Sequence, residues 1–252
     1  MNNQSNPQSL APQELDNYLV NGWYRMEQGL FTVDYIYIEK WIRVFWLRYR
    51  LKDFAFSKKH TQLISRCERF QVEVKPLQIN TEHEELFSNY RQIVNFECPP
   101  SASQFLFDGQ FQGGQRSNIF DSQMIEIRDK SRLIALGVFD QGKNSIAGIL
   151  NFYHPAYRKF SFGKYLMLKK IEYAIQSGRD WYYPGYIGFD FPKFDYKLYP
   201  GEDTAEIWEP LQKQWLPYNP VLLEELTILQ ELFFEPMSSI SDFEVEEVDF
   251  GT

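Results

Sequence analysis

Cysteine is scarce in this chain of 252 residues. Cys67 and Cys98 cannot build a disulfide framework, so a reducing, cytoplasmic setting is expected. Histidine is scarce too. His60, His83 and His154 lie far apart and give no metal-ligand spacing, so neither a metal nor another cofactor is expected. Long apolar runs are missing: none approaches the ~20 residues that a membrane span requires. The opening MNNQSNPQSLAPQ has no basic start and no apolar core, and is not read as a secretory signal. An overall positive charge is also missing. With 26 Lys and Arg against 34 Asp and Glu, net −8, the chain is not a generally basic nucleic-acid binder. No internal repeat is visible.

Aromatic residues, by contrast, are abundant: 22 Phe, 16 Tyr and 6 Trp, 17% of the chain. Such a share either builds a bulky core or lines a stacking or peptide-binding surface. Charge is unevenly placed. Residues 43–75 hold nine basic and three acidic residues, residues 151–200 eight and four, and residues 201–252 one and thirteen. Two basic segments inside an acidic chain can meet as one anion-binding face, or lie apart as ordinary solvated surface.

Hydrophobic spacing predicts a short helix over 13–21, then a hairpin around Gly29, then a strand over 40–51 with Arg43, Arg48 and Arg50 interleaved. A helix is expected over 57–69 with Ser57 as its N-cap, a strand over 70–79, and a helix over 80–94 with acidic residues in its first turn. Residues 101–121 carry Gly109, Gly113 and Gly114 and read as a loop or short helix that moves. Strands follow over 123–128, 132–140 and 145–153, the last two joined as a hairpin. Further on, 208–215 reads as a turn of helix and 221–232 as a strong helix. The expected division is a disordered start (1–13), an N-terminal α+β region (14–98), a larger domain (99–235) and an acidic disordered tail (236–252).

The richest stretch is 146–197. A strand runs into His154-Pro155, then a basic loop (Arg158, Lys159, Phe160, Ser161, Phe162, Gly163), an amphipathic helix from Lys164, a second aromatic strand from Trp181, and a second basic cluster ending at Lys197. A cationic loop at a helix N-terminus suits an anionic ligand, because free backbone N–H groups and the positive end of the helix dipole point the same way.

A three-strand meander followed by loop, helix and strand resembles the acyl-coenzyme A N-acetyltransferase (GNAT-type) arrangement. The expected fold is therefore α+β: a mixed sheet with helices and a smaller N-terminal α+β region packed on it. A more specific resemblance lies in the run Tyr153-His154-Pro155, Arg158 to Tyr165, Ile171-Glu172, Gly178, and Tyr182-Tyr183-Pro184-Gly185-Tyr186-Ile187. Lys193-Phe194-Asp195-Tyr196-Lys197 and Pro200-Gly201-Glu202 continue it. Upstream, Arg132-Leu133-Ile134-Ala135 with Val138-Phe139-Asp140, Gly22-Trp23-Tyr24-Arg25 and Ser57-Lys58-Lys59 extend it, so that it covers about 15–215. These motifs resemble those of the aminoacyl-tRNA–protein transferases, the arginyl and leucyl transferases of the N-end rule pathway. Where that family carries Cys-x-x-Cys, this chain reads Tyr37 to Arg43 without a cysteine, so the thiolates are not available here.

The resemblance implies transfer of an arginyl or leucyl group from charged tRNA to the N-terminal amine of an acceptor protein, marking it for degradation. The amine must be neutral to attack, the oxyanion needs donors, and the tRNA phosphates need cations. Arg158, Lys159 and Lys164 are candidates for the phosphates. Ser161 either caps the helix or contacts ligand, and Gly163 permits a close backbone approach or a tight turn. Lys193 and Lys197 are candidates for phosphate or a substrate carboxylate, or plain surface lysines. Tyr186 and Tyr196 stack on the terminal adenine, polarise the ester, or belong to the core. Asp195, with Asp190, orients the amine, pairs with a cationic arginyl side chain, or is an exposed loop carboxylate. An acidic acceptor N-terminus would be read by groups such as Arg48, Arg50 or Lys197. Two alternatives stand beside this reading: a GNAT-type acyl-coenzyme A N-acyltransferase, for which the loop has a single glycine, and a non-catalytic relative that binds protein N-termini or nucleic acid.

Overall fold

The computed structural model describes residues 9–94, 98–107, 111–112, 115–116 and 118–233. The expected acidic tail, most of the polar start, and Gly109, Gly113 and Gly114 lie outside the described residues. The chain divides into two compact units, 1–218 and 219–252.

In the first unit, α1 (Pro12–Val20) leads into the hairpin β1 (Tyr24–Met26) and β2 (Gly29–Phe31). A second hairpin joins β3 (Tyr35–Ile38) to the long β4 (Lys40–Arg50). Then come α2 (Lys58–Cys67), β5 (Gln71–Pro76), α3 (Thr81–Arg91), α4 (Ala102–Phe107) and the two-residue strands β6 (Phe111–Gln112) and β7 (Gln115–Arg116). The meander β8 (Ser122–Asp129), β9 (Arg132–Gln141) and β10 (Ser145–Tyr153) follows. A 3₁₀ helix (Pro155–Phe160) and α5 (Phe162–Gln176) cross over to β11 (Trp181–Gly188). Two further 3₁₀ turns (Pro192–Leu198, Glu202–Thr204) precede the hairpin β12 (Ala205–Glu209) and β13 (Gln214–Pro217). The second unit contains α6 (Pro220–Phe233), whose Thr227 hydroxyl donates to the Leu223 carbonyl.

Nine strands form one sheet in the order β13-β12-β4-β11-β10-β9-β8-β5, with β3 folded back onto β4. Every pair in it is antiparallel except β10 and β11. A parallel pair needs a crossover, which the 3₁₀ helix and α5 supply. β9 is apolar almost throughout because both its faces are covered. Leu136 and Val138 meet Leu86 and Phe87 of α3 and Leu106 of α4 on one side. On the other, Gly137 leaves room for Leu166 and Lys170 of α5, and Phe139 packs on Tyr173. Full burial of a side chain such as Phe139 or Phe152 contributes about 2–3 kcal/mol each.

Histidines cap two helices. At α3, Asn80 Oδ1 accepts the His83 N–H and His83 Nδ1 accepts the Asn80 N–H, both at 3.1 Å. At α2, the Ser57 N–H donates to His60 Nδ1, leaving Nε2–H for the Tyr199 carbonyl at 3.0 Å. Residues 208–215 are not helical. They form the β12–β13 hairpin, where Trp208 and Trp215 face each other across the strands with ring centroids 5.4 Å apart. Cross-strand aromatic packing outweighs the helical spacing there. The basic loop before α5 is also regular, a 3₁₀ helix opened by the His154 side chain.

Candidate active site

β10 and β11 pair for only three residues, Ser145 to Ala147 against Trp181 to Tyr183. Both strands then lose register toward their other neighbours, β10 between Gly148 and Leu150 and β11 between Tyr182 and Gly185. Beyond this point the two strands part, leaving backbone carbonyls facing the gap. The Tyr24 hydroxyl sits between them, 2.5 Å from Gly148 O and 2.9 Å from Tyr183 O. It carries one proton and donates to one carbonyl at a time. Tyr24 stacks on Trp46, which meets Tyr186 edge-on at 5.2 Å.

The 3₁₀ helix Pro192–Leu198 crosses the same end of β11 and brings Lys197 back onto it. Lys197 Nζ donates to Tyr186 O at 2.7 Å and stands 4.6 Å from the Tyr186 ring, 4.9 Å from Phe194 and 5.9 Å from Tyr196. The Lys197 carbonyl accepts from the Tyr49 hydroxyl at 2.7 Å, which fixes the turn. Gly185, at φ +100°, lets the ammonium approach; a Cβ there would lie 3.4 Å from Nζ. No carboxylate pairs with this amine among the described residues, and burial pushes it down to about 7. Tyr24, Tyr182 and Tyr186 are all raised above their ordinary value, chiefly by burial, and Tyr196 is pushed up to about 12. Tyr24 and Tyr182 are raised further by Tyr196, and Tyr196 by Tyr186, so these phenols share one neighbourhood and remain protonated donors.

Beside the gap lies a basic face. Lys59 of α2 and Lys164 of α5 stand over the same Tyr199 ring, at 5.2 and 4.8 Å. Arg69 and Lys159 both stand 5.3 Å from the Phe160 ring. With exposed Lys58, Arg66 and Arg158, these cations form no ion pair among the described residues. The two basic segments, separated in sequence, thus meet where α2 packs on α5 and the preceding 3₁₀ helix. His60 joins this face to the gap by holding the Tyr199 carbonyl, two residues beyond Lys197.

The structure gathers Tyr186, Tyr196 and Lys197 at the gap and Arg158, Lys159 and Lys164 on the basic face. Ser161 starts α5 in the left-handed conformation (φ 54°, ψ 45°), and its hydroxyl does not cap the helix. Its carbonyl takes the Lys164 and Tyr165 N–H groups, so the first turn offers a ligand only those of Phe162 and Gly163. Gly163 makes no tight turn; a Cβ there would meet nothing within 4 Å. Lys193 and Asp195 lie exposed on the 3₁₀ helix, and exposed Asp190 stands 3.9 Å from Lys40. Arg48 is not available to an acidic ligand: it pairs with Glu206 at 2.6 Å, sandwiched between Trp181 and Trp215. The sequence reading missed Tyr24, Tyr182 and His60 as parts of the site. Tyr24 and Tyr182 stand within quoted motifs, which was the available signal; His60 had none. A separate cavity of about 650 Å³ beside α1, lined in part by Tyr18, Trp23, Thr32 and Asp34, has Asp34 engaged by Arg43 and Thr32 by Gly22.

The domain is α+β, a mixed sheet whose single parallel pair opens beside a crossover helix. Residues 82–201 match the family model described as arginine-tRNA-protein transferase, C terminus. The chain is 25% identical over 216 residues to an aspartate/glutamate leucyltransferase from Helicobacter hepaticus, covering 80% of this chain and 87% of that one. It is 27% identical over 172 residues to arginyl-tRNA–protein transferase 1 of Arabidopsis thaliana, covering 62% of this chain but only 27% of that longer protein. Among solved structures, the C-terminal domain of a lysylphosphatidylglycerol synthetase from Agrobacterium fabrum matches with TM-score 0.44 and 14% identity, over 63% of this chain and 52% of that one. Over residues 82–201 and in these relatives, the chain is thus similar to aminoacyl-tRNA–protein transferases. Among the described residues no helix is long and apolar enough to cross a membrane.

Proposed function

We propose that this protein transfers a leucyl or arginyl group from charged tRNA to the N-terminal amine of an acceptor protein. The observation that supports it most is the continuity of the unpaired basic face with the gap between β10 and β11. One strip of chain, residues 192–199, borders both. In this reading Arg158, Lys159 and Lys164, joined by Lys59 and Arg69, hold acceptor-stem phosphates, and the first turn of α5 adds two N–H groups. Open space before Gly163 admits the RNA backbone. The esterified 3′ end enters the gap, where Tyr186 and Tyr196 present ring faces to its last base. Protonated phenols supply donors for the oxyanion that forms when the amine attacks. An amine attacks an already activated ester, so no serine or cysteine nucleophile is required. Lys193 and Asp195, exposed at the rim, are placed to meet the acceptor's first residues.

The test is transfer of label from leucyl- and arginyl-tRNA onto peptides carrying each of the twenty N-terminal residues. Label is expected on a restricted set of them. Absence of transfer across the whole panel, with intact charged tRNA recovered, would falsify the reading. Saturable acetyl-coenzyme A binding by calorimetry would instead favour the acyl-coenzyme A alternative.

A further inference from the structure

Two lysines stand apart from the rest of the chain, and their surroundings differ. Lys170 is fully buried and its Nζ is taken up by protein: Val138 O at 2.7 Å, Asn151 Oδ1 at 2.9 Å and Leu150 O at 3.3 Å. It has no access to a substrate. Lys197 is half-buried, donates to a single acceptor, Tyr186 O, and borders the gap. Two of its three donor positions are uncommitted within the protein, and its walls are rings. This is a poor anion site. A lysine that holds phosphate is a hydrated, exposed cation, as Lys159 is, whereas Lys197 stands where its charged form is disfavoured.

We infer that Lys197 is the proton shuttle of the transfer reaction, carrying a proton from the attacking nitrogen to the departing ribose oxygen. The inference rests on the transferase reading above. An α-amine has an ordinary pKa near 7.7–8.0, so part of the acceptor is neutral at pH 7 without help. The difficult protons come later. As the neutral amine adds to the ester carbonyl, the C–N bond forms, the carbonyl electrons move to oxygen, and the nitrogen becomes acidic. Neutral Nζ takes that proton. The oxyanion then collapses, the C–O bond to the ribose breaks, and the resulting ammonium returns the proton to the leaving oxygen. Amine and ester become amide and alcohol, with no proton gained or lost. A shuttle serves both steps best when its pKa lies near the working pH. The Tyr186 and Phe194 faces stabilise the cation between the two steps and offset part of the burial effect. The titratable groups that meet this residue are the phenols of Tyr49, Tyr186 and Tyr196, with the exposed Asp195 carboxyl on its own helix, and none forms an ion pair with it.

The experiment has two arms. In the first, single-turnover transfer is followed with saturating charged tRNA in Lys197→Met and Lys197→Arg. Both are expected to lose on the order of 10²–10⁴-fold in rate while binding charged tRNA within about threefold of the original. Arginine keeps a donor for Tyr186 O but cannot give up its proton. A rate in Lys197→Arg within about threefold of wild type overturns the inference and leaves a purely positioning contact. In the second arm, lysines of the intact protein are competitively acetylated across a pH series and read by mass spectrometry. Lys197 is expected to titrate well below the surface lysines, which lie near 10.4. If it titrates with them, the inference is overturned whatever the mutants do. Absence of transfer by the wild-type control sinks the transferase reading, and this inference with it, so the two failures are told apart.

Discussion

Arg25 and Asp140 belong to motifs more than a hundred residues apart, and the structure pairs them at 2.8 Å inside the core. Arg25 also donates to Leu106 O at 2.6 Å and stacks on Phe120, and Ser122 donates to the same Asp140 oxygen. Removing one partner leaves a buried charge uncompensated. Arg25→Met is expected to cost roughly 3–5 kcal/mol in urea unfolding, and Asp140→Asn in the Arg25→Met background to restore part of it. Lys170 makes a pH prediction. Its folded pKa is lowered by burial to about 7, against an ordinary value of 10.5. Between those limits the unfolded chain holds a proton that the folded chain lacks. Stability from this group is therefore present above the unfolded pKa and is lost as pH falls toward 7, with a slope of at most about 1.4 kcal/mol per pH unit. Lys197 adds a slope of the same sign. Urea midpoints are expected to rise with pH above neutrality, and to rise less in Lys170→Met; equal slopes would contradict the burial of a neutral amine.

At the scale of elements, the gap between β10 and β11 depends on a wedge. Tyr24→Phe removes the hydroxyl that bridges Gly148 O and Tyr183 O, and is expected to cost about 1–3 kcal/mol without unfolding the chain. Denaturant titration checks this; a neutral result would mean that water satisfies those carbonyls. The start of α5 gives the opposite case. Gly163→Ala meets no atom and improves helix propensity, so thermal stability is expected to hold or rise by up to about 1 kcal/mol while charged-tRNA binding weakens. The crossover unit around α5 was legible in the sequence because its signals are local: the apolar run of β10, the His154-Pro155 turn, the helical stripe ended by Gly178. The β12–β13 hairpin was not, because Trp208 and Trp215 gain their environment from a partner strand and from Arg48. The wedge was not either, since Tyr24 reaches residues more than 120 positions away. Lys197 was legible as a cation but not as a perturbed one, because its rings assemble only in the fold.

For the molecule as a whole, an acidic chain carries a cluster of unpaired cations where α2 meets α5. Binding of charged tRNA should therefore weaken steeply with salt although the net charge is −8. Lys159→Ala with Lys164→Ala is expected to flatten the slope of log K against log salt by about one to two; an unchanged slope would move the phosphates elsewhere. The β3–β4 hairpin carries no cysteine, and its tip exposes Tyr37 and Trp41 at 65% and 69%. The account's central claim is that the gap and the basic face act as one aminoacyl-transfer site. Mass spectrometry of a short acceptor peptide, incubated with the protein and leucyl- or arginyl-tRNA, tests it most directly. The peptide is expected to gain one residue at its N-terminus, and its N-acetylated twin none. No gain from either charged tRNA on any acceptor, or a gain on the blocked peptide, would contradict the account.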